Sequence, residues 1–268
     1  MPSVCGANDN RVSIGPVAVI IWISAIGRDM ITIIGTGHVF NLAEPVSFIV
    51  KNTWPDAVLI ELDKARYQAM MDDYNGVKPK EGQKMSAIYA NTAKYQQKMS
   101  EQSGSKLGGE FLAAVNTGKL VNAAIIPIDT DAMRVMNEMW DEMSAGERMR
   151  YRLSSFRDSF GGIHKVKSTH RKFADNETDY VESMRKRYPT LVRKLIDERN
   201  VYMAQQINEY SKQYSNMVVV VGDAHVEGIC GLLDDGQIRK IRLNDIMDSD
   251  KMKRIRQMIW DGRDTLEG

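Results

Sequence analysis

Two runs of β-branched residues restrict this chain more than any other feature. Ile31-Thr32-Ile33-Ile34 runs into Gly35-Thr36-Gly37-His38, and Val218-Val219-Val220-Val221 runs into Gly222-Asp223-Ala224-His225. Each run has the length and composition of a strand buried on both faces, which is the habit of parallel sheets covered by helices. Both stop at Gly-x-x-His. A glycine lets the backbone turn sharply at a strand's carboxyl end, and the following imidazole then lies where open α/β sheets place their ligands.

The segments between these runs alternate in type. After the first run, a helix is expected from about Glu44-Pro45, with Val46, Ile49 and Val50 on one side, and it ends at Trp54-Pro55-Asp56. Ala57 to Leu62 reads as a second buried strand that delivers Glu61 and Asp63 at its end, and Lys64 to Asp73 as the next helix. Gly108-Gly109-Glu110 opens a helix through Val115, and Ala123 to Ile128 is a third strand ending in Asp129. Helices are expected over Asp131 to Phe160 and over Glu177 to Tyr214, the latter interrupted at Pro189. Beyond the second histidine strand come a helix from about Val226, a strand near Ile238 to Leu243 and a C-terminal helix. This order predicts the α/β class, with a mostly parallel central sheet flanked by helices in one domain. The polar stretch from Asn75 to Lys106 reads as a helical insertion or lid, and the basic stretch from His164 to Lys172 as a solvated loop.

Residues 1–29 stand apart as an N-terminal extension before a domain spanning 30–268. The apolar run from Val12 to Ile26 contains Pro16 and falls short of the roughly 20 residues of a spanning helix, so it reads as an extra strand, a start-site extension before Met30, or an anchor. With 36 basic and 35 acidic residues the net charge is +1, which gives no global field for nucleic acid or an anionic membrane. Cys5 and Cys230 form no framework of disulfides, which suits a reducing cytoplasm. Met133, Met136, Met139 and Met143 recur at helical spacing, the pattern of core packing and not of a soft-metal site.

The site chemistry follows from the strand ends. Alone, either histidine reads as a hydrogen-bonded structural residue. Two in matching contexts on adjacent parallel strands would lie at one edge of the sheet with Glu61 beside them, and two imidazoles with a carboxylate suit a divalent metal, Zn, Mn or Co. Such an ion supports hydrolysis of an amide or ester. Without metal, a histidine oriented by a carboxylate could act as general base, with Arg66 or Arg199 facing a developing oxyanion. Glu110 and Asp129 are further candidates, each equally at home as a structural carboxylate, and Glu198-Arg199 by residue type is a surface pair. HExxH, Gly-x-Ser-x-Gly, the P-loop and the dinucleotide fingerprint are all missing from the sequence.

Five ordered blocks carry a family resemblance. Gly35-Thr36-Gly37-His38-Val39 is similar to the opening GTAHV-type motif of the TraB family, which is related to the GumN, Tiki and erythromycin-esterase-like hydrolases. Pro55 to Tyr67 resembles its PDxVxxELDxxRY block, and Gly109-Glu110 with Ala113 and Ala114 its next helix. Glu198 to Ala204 resembles its ERDxxMA run, and Val221 to Ile229 its closing VVGxGHVxGI motif. The resemblance implies a single α/β domain with a metal-dependent peptidase site. It singles out His38, Glu61 and His225 as ion ligands, then Arg66, Glu110 and Arg199 as further site residues. Two positions depart from the family pattern, Thr130 in place of an arginine and Asn200 in place of an aspartate.

The leading expectation is therefore a metal-dependent hydrolase that cuts small or extended peptides. The alternative keeps the fold without catalysis, as a peptide-binding or sequestering regulator, in line with the family's association with silencing of peptide signals such as pheromones. A membrane-surface scaffold built on the N-terminal apolar run is a third reading. Peptides or small proteins are the expected partners, nucleic acid is not, and the oligomeric state stays open, a homodimer included.

Overall fold

The computed structural model describes residues 30–37, 40–77, 108–160, 177–234 and 237–267. The N-terminal apolar run, His38, most of the polar insertion and the basic loop lie outside the described residues. Five parallel strands form one sheet in the order β3-β2-β4-β1-β5: β1 (Met30–Thr36), β2 (Ala57–Ile60), β3 (Ala124–Pro127), β4 (Asn216–Gly222) and β5 (Gln237–Ile241). The two histidine strands are neighbours. Their register pairs Ile31 with Met217 and Thr36 with Gly222, so both strands reach the carboxyl edge at the same level.

Side chains alternate across this sheet, and both faces are dry. Ile34, Val58, Ile60, Val218 and Val220 point to one face, where they meet α1 (Ala43–Thr53), α3 (Gly109–Leu120), α10 (Leu243–Met247) and α11 (Ser249–Glu267). Ile33, Leu59, Met217, Val219 and Val221 point to the other, against α8 (Glu198–Ser211) and α9 (Asp223–Cys230). Continuous apolar runs are stable as strands only when both faces are covered, which explains why these segments carry no polar alternation. A satellite cluster of Met136, Met139 and Met143 packs on Trp140, Tyr151, Leu191 and Leu195, so these methionines are core.

Helix ends follow local chemistry. α2 (Lys64–Tyr74) is capped by Asp63, which accepts the Arg66 amide at 2.8 Å and also the Ala132 amide at 3.2 Å, so one carboxylate serves the first turns of two helices. The helix expected over 131–160 is two, α4 (Ala132–Glu142) and α5 (Ala145–Phe160). Ser144 and Glu147 exchange reciprocal side-chain to amide bonds, 3.2 and 3.3 Å, and that capping box starts a new helix where periodicity alone reads through. α6 (Glu177–Arg187) and α7 (Pro189–Val192) meet at Tyr188, as Pro189 requires. A π-helical turn, Arg193–Asp197, then leads into α8. Among the described residues, no helix is long and apolar enough to cross a membrane.

The chain leaves β1 for α1 on one face and leaves β4 for α9 on the other. A crevice opens at the carboxyl ends of adjacent strands whose connections diverge in this way. The sheet therefore positions its candidate site at the ends of β1 and β4, with β2 flanking.

Candidate functional site

Glu61 is the first residue beyond β2 and is 5% exposed. Its Oε2 accepts the Gly222 amide at 2.6 Å, which ties the end of β2 to the end of β4. Oε1 faces two groups, the Arg199 guanidinium and His225 Nε2, the latter at 3.3 Å. Burial by itself would raise this carboxyl. The His225 ring, the Arg199 charge and the Gly222 amide together outweigh burial and hold it well below the ordinary carboxylate range.

His225 is the third residue of α9, which begins at Asp223 and so takes in the turn that the sequence alone places ahead of the helix. Two ties set this early start. The Asp223 carboxylate accepts the Leu243 amide at 2.8 Å and a two-pronged Arg242 guanidinium at 3.0 and 2.9 Å. The ring is buried, and its Nδ1 lies 2.6 Å from Asn200 Oδ1.

Arg199 extends the network to β3. Its Nε and Nη2 meet Asp129 Oδ1 and Oδ2 at 3.0 and 2.7 Å, and Nη1 donates to the Leu195 carbonyl at 3.0 Å. Asp129 is fully enclosed and also accepts the Thr130 amide at 2.8 Å and Arg66 Nη2 at 2.5 Å. Arg66 in turn binds Asp63 through Nε at 2.7 Å. Desolvation works against both guanidiniums, but the flanking carboxylates raise both above the ordinary arginine value. The result is a lattice of three carboxylates, Glu61, Asp63 and Asp129, bound by two guanidiniums, which leaves a net charge of −1 before His225 is counted.

The preceding π turn helps deliver these groups. The Glu198 amide bonds the Arg193 carbonyl across the wide turn, and Arg199 uses the Leu195 carbonyl for its side chain. Consecutive helical residues point about 100° apart, yet Arg199 and Asn200 both serve the site. Glu198 faces outward to Arg193 and Lys194, so the surface reading holds for that half of the Glu198-Arg199 pair and fails for the other.

The structure thus brings Glu61, Arg66, Arg199 and His225 together. Glu110 is buried in the first turn of α3, where the helix dipole favours a carboxylate. His38 lies outside the described residues. Asp129, a further candidate from its place at a strand end, joins the network, and so does Asn200, which the sequence marks only as a departure from the family pattern.

A divalent ion can be tested against these donors. Among the described residues no three His, Cys, Asp or Glu side chains form a cluster able to hold a metal. Glu61 and His225 do supply a pair. A separation of 3.3 Å between Oε1 and Nε2 suits neighbouring donors that each sit about 2.1 Å from one ion. Asn200 Oδ1, 2.6 Å from Nδ1, could accept from that nitrogen when an ion takes the lone pair of Nε2, as the partner of a ligating imidazole does. The donor chemistry fits as part of a ligand set.

Fold and site together define a doubly wound α/β protein with a buried charged lattice at its topological switch point. The chain belongs to the TraB/PrgY/gumN family, whose model matches residues 20–244. It is 28% identical over 207 residues to an uncharacterized protein of Methanocaldococcus jannaschii, covering 74% of this chain and 52% of the relative, so the chain spans about half of that relative's length. A solved structure described as cofacial heme binding to ChaN of Campylobacter jejuni aligns over 84% of each chain, with 9% identity and a TM-score of 0.35.

Proposed function

We propose that this chain is a hydrolase of small or extended peptides, with its reaction centre at the carboxyl edge of β1, β2 and β4. The observation that carries the reading is the approach of His225 Nε2 to Glu61 Oε1 at 3.3 Å, with the ring held from behind by Asn200. Glu61, His225 and His38 would hold a divalent cation, Mn, Co or Zn; His38 stands two residues beyond Thr36, the ladder partner of Gly222. When bound, the ion supplies Lewis-acid polarisation of a peptide carbonyl and an activated water.

The protein's own groups do the rest. Gly222 and Arg199 fix the Glu61 carboxylate, so it needs no reorganisation when substrate arrives. Arg199 carries a positive charge into a site whose Glu61 and Asp129 side chains are 6% and 0% exposed, where it would favour negative charge growing on a carbonyl oxygen. Arg66 and Asp129 hold Arg199 from the far side, and Arg66 is the more exposed of the two guanidiniums, at 28% against 14%, which leaves it better placed to meet an incoming peptide.

A second reading keeps the site without cleavage. It is favoured by the saturation of the lattice: both Glu61 and Asp129 already have guanidinium partners, as in a scaffold that holds a peptide without cutting it. Metal analysis of purified protein tests the ligand assignment. The hydrolase reading expects near-stoichiometric Mn, Co or Zn in the wild type and its loss in His38→Ala and His225→Ala. Equal or negligible metal in all three would remove the ion from the account.

A further inference from the structure

We propose that the outer face of α5 is a docking surface for an anionic lipid bilayer, on which this helix lies in the plane of the interface. The surface stands apart from the peptide site and goes beyond the hydrolase reading.

α5 has two unlike faces. The inner one is occupied: Glu147 is 3% exposed and accepts the Thr190 amide and hydroxyl at 2.9 and 2.8 Å, and the Tyr151 ring meets Trp140 and Tyr188 edge to face. On the outer face Met149 and Leu153, one turn apart, are 66% and 59% exposed. At about 100° per residue, Arg148 and Arg150 lie about 100° to either side of Met149, Arg152 about 60° away, and Glu147 and Tyr151 about 160° away. An apolar ridge is thus flanked by guanidiniums on both sides, while the carboxylate is turned inward. The sequence repeats this spacing to the end of the helix: Phe156 and Phe160 continue the series of Met149 and Leu153, Arg157 that of Arg150, and Asp158 that of Tyr151.

The arginines of this face are also set apart by their partners. Among the described residues no carboxylate pairs with Arg148, Arg150 or Arg152, and the Arg152 guanidinium lies over the Trp140 ring at 5.1 Å. In the surrounding helices Arg134, Arg185 and Arg193 each bind a carboxylate.

Charge and shape together select the occupant. Cations without counter-charges call for an anionic partner, and the ridge between them calls for an apolar one. A nucleic-acid backbone would satisfy the arginines and leave the ridge in water. A second copy of the chain would set the same arginines against one another. An anionic bilayer meets both demands, because the ridge enters the acyl boundary while the guanidiniums stay among the headgroups. No described helix is long and apolar enough to cross a membrane, so the contact is in the plane. The chain as a whole carries a net charge of only +1, so the attraction belongs to this face and not to a global field.

Sedimentation of the full chain with lipid vesicles tests this. The chain should pellet at low salt with vesicles of phosphatidylcholine and phosphatidylglycerol, and stay in solution with phosphatidylcholine alone. Salt at about 1 M, which shortens the screening length to about 3 Å, should release it. Arg150→Gln combined with Arg152→Gln should weaken partitioning about 30-fold, since each arginine near such a surface contributes about fivefold. Met149→Ser combined with Leu153→Ser should weaken it about tenfold or more through the lost apolar contact. These residues are exposed, and urea unfolding of each variant checks that it folds. Equal pelleting with neutral and anionic vesicles, pelleting unchanged in both variants, or no pelleting at all would overturn the proposal. In the last case, retention on immobilised poly-glutamate would give the face to an acidic protein instead. The assay contains neither peptide nor metal, so its outcome is independent of whether the chain is a hydrolase.

Discussion

Replacing Arg199 by methionine is the sharpest test of the lattice. The change keeps most of the aliphatic stem but removes a guanidinium that binds Glu61, both oxygens of Asp129 and the Leu195 carbonyl. Glu61 and Asp129 have side chains only 6% and 0% exposed, so each would become a buried anion lacking its main counter-charge. Breaking a buried pair from one side typically costs about 3–5 kcal/mol. Arg66 and the Thr130 amide still hold Asp129, and the Gly222 amide still holds Glu61, which favours the lower half of that range. At about 2–4 °C per kcal/mol for a domain of this size, Tm should fall by about 6–16 °C. Urea unfolding should show a lower midpoint at an unchanged slope. Arg193→Met is the control: its guanidinium bridges Glu142 and Glu198 with side chains 43–46% exposed, and such surface pairs contribute about 0–1 kcal/mol. A loss below about 1 kcal/mol for Arg199→Met, or equal losses for the two variants, would refute the claim that Arg199 is the keystone.

Acid should act through the same groups. Glu61 and Asp63 titrate lower in the folded chain than in the unfolded one, so the unfolded chain takes up protons first. Their contribution is complete above about pH 4.5 and is lost as pH falls through the folded values; the urea midpoint should drop from pH 5 to pH 3, and Glu61→Gln should flatten that drop. Gly118→Ala should destabilise despite alanine's helix propensity, because the new Cβ would lie 2.7 Å from Ile125 Cδ1 and 2.9 Å from Val58 Cγ2 where α3 meets the sheet. A net loss of about 1–2 kcal/mol in urea is expected, and an increase in stability would show that α3 can move away. Asp63→Ala removes the cap of α2, an amide partner of α4 and an anchor of Arg66 together. Thermal unfolding should register a loss of about 1–2 kcal/mol, above the usual effect of a single cap of about 1 kcal/mol.

Much of this was legible in the residues. The unbroken runs at Ile31 and Val218 identify doubly covered strands, and the spacing of turns between them gives a parallel sheet whose ends bear Glu61, Asp129 and the Gly-x-x-His motifs. Strand pairing was not legible: that β4 inserts between β1 and β2 depends on contacts between segments some 185 residues apart, such as Thr36 with the Val221 carbonyl. Capping decided what periodicity could not, at Ser144 and again at Asp223, whose tie to Arg242 and Leu243 starts α9 ahead of Val226. Arg199 was the hardest residue to place from its type. A charged residue next to Glu198 on a polar helix reads as surface by type; the family resemblance points the other way, and the buried partners at the ends of β2 and β3 reverse that reading. Asn200 carried no signal of its own beyond its departure from the family pattern.

The central claim is that this site cuts peptides, and product analysis tests it most directly. A defined peptide library incubated with the full chain and added Mn, Co or Zn should yield new cleavage products by mass spectrometry. Those products should disappear in Glu61→Gln and His225→Gln variants whose urea midpoints confirm that they fold. Peptides retained by the wild type with no new termini, with and without added metal, would contradict the claim and leave a protein that binds peptides at this edge of the sheet without cutting them.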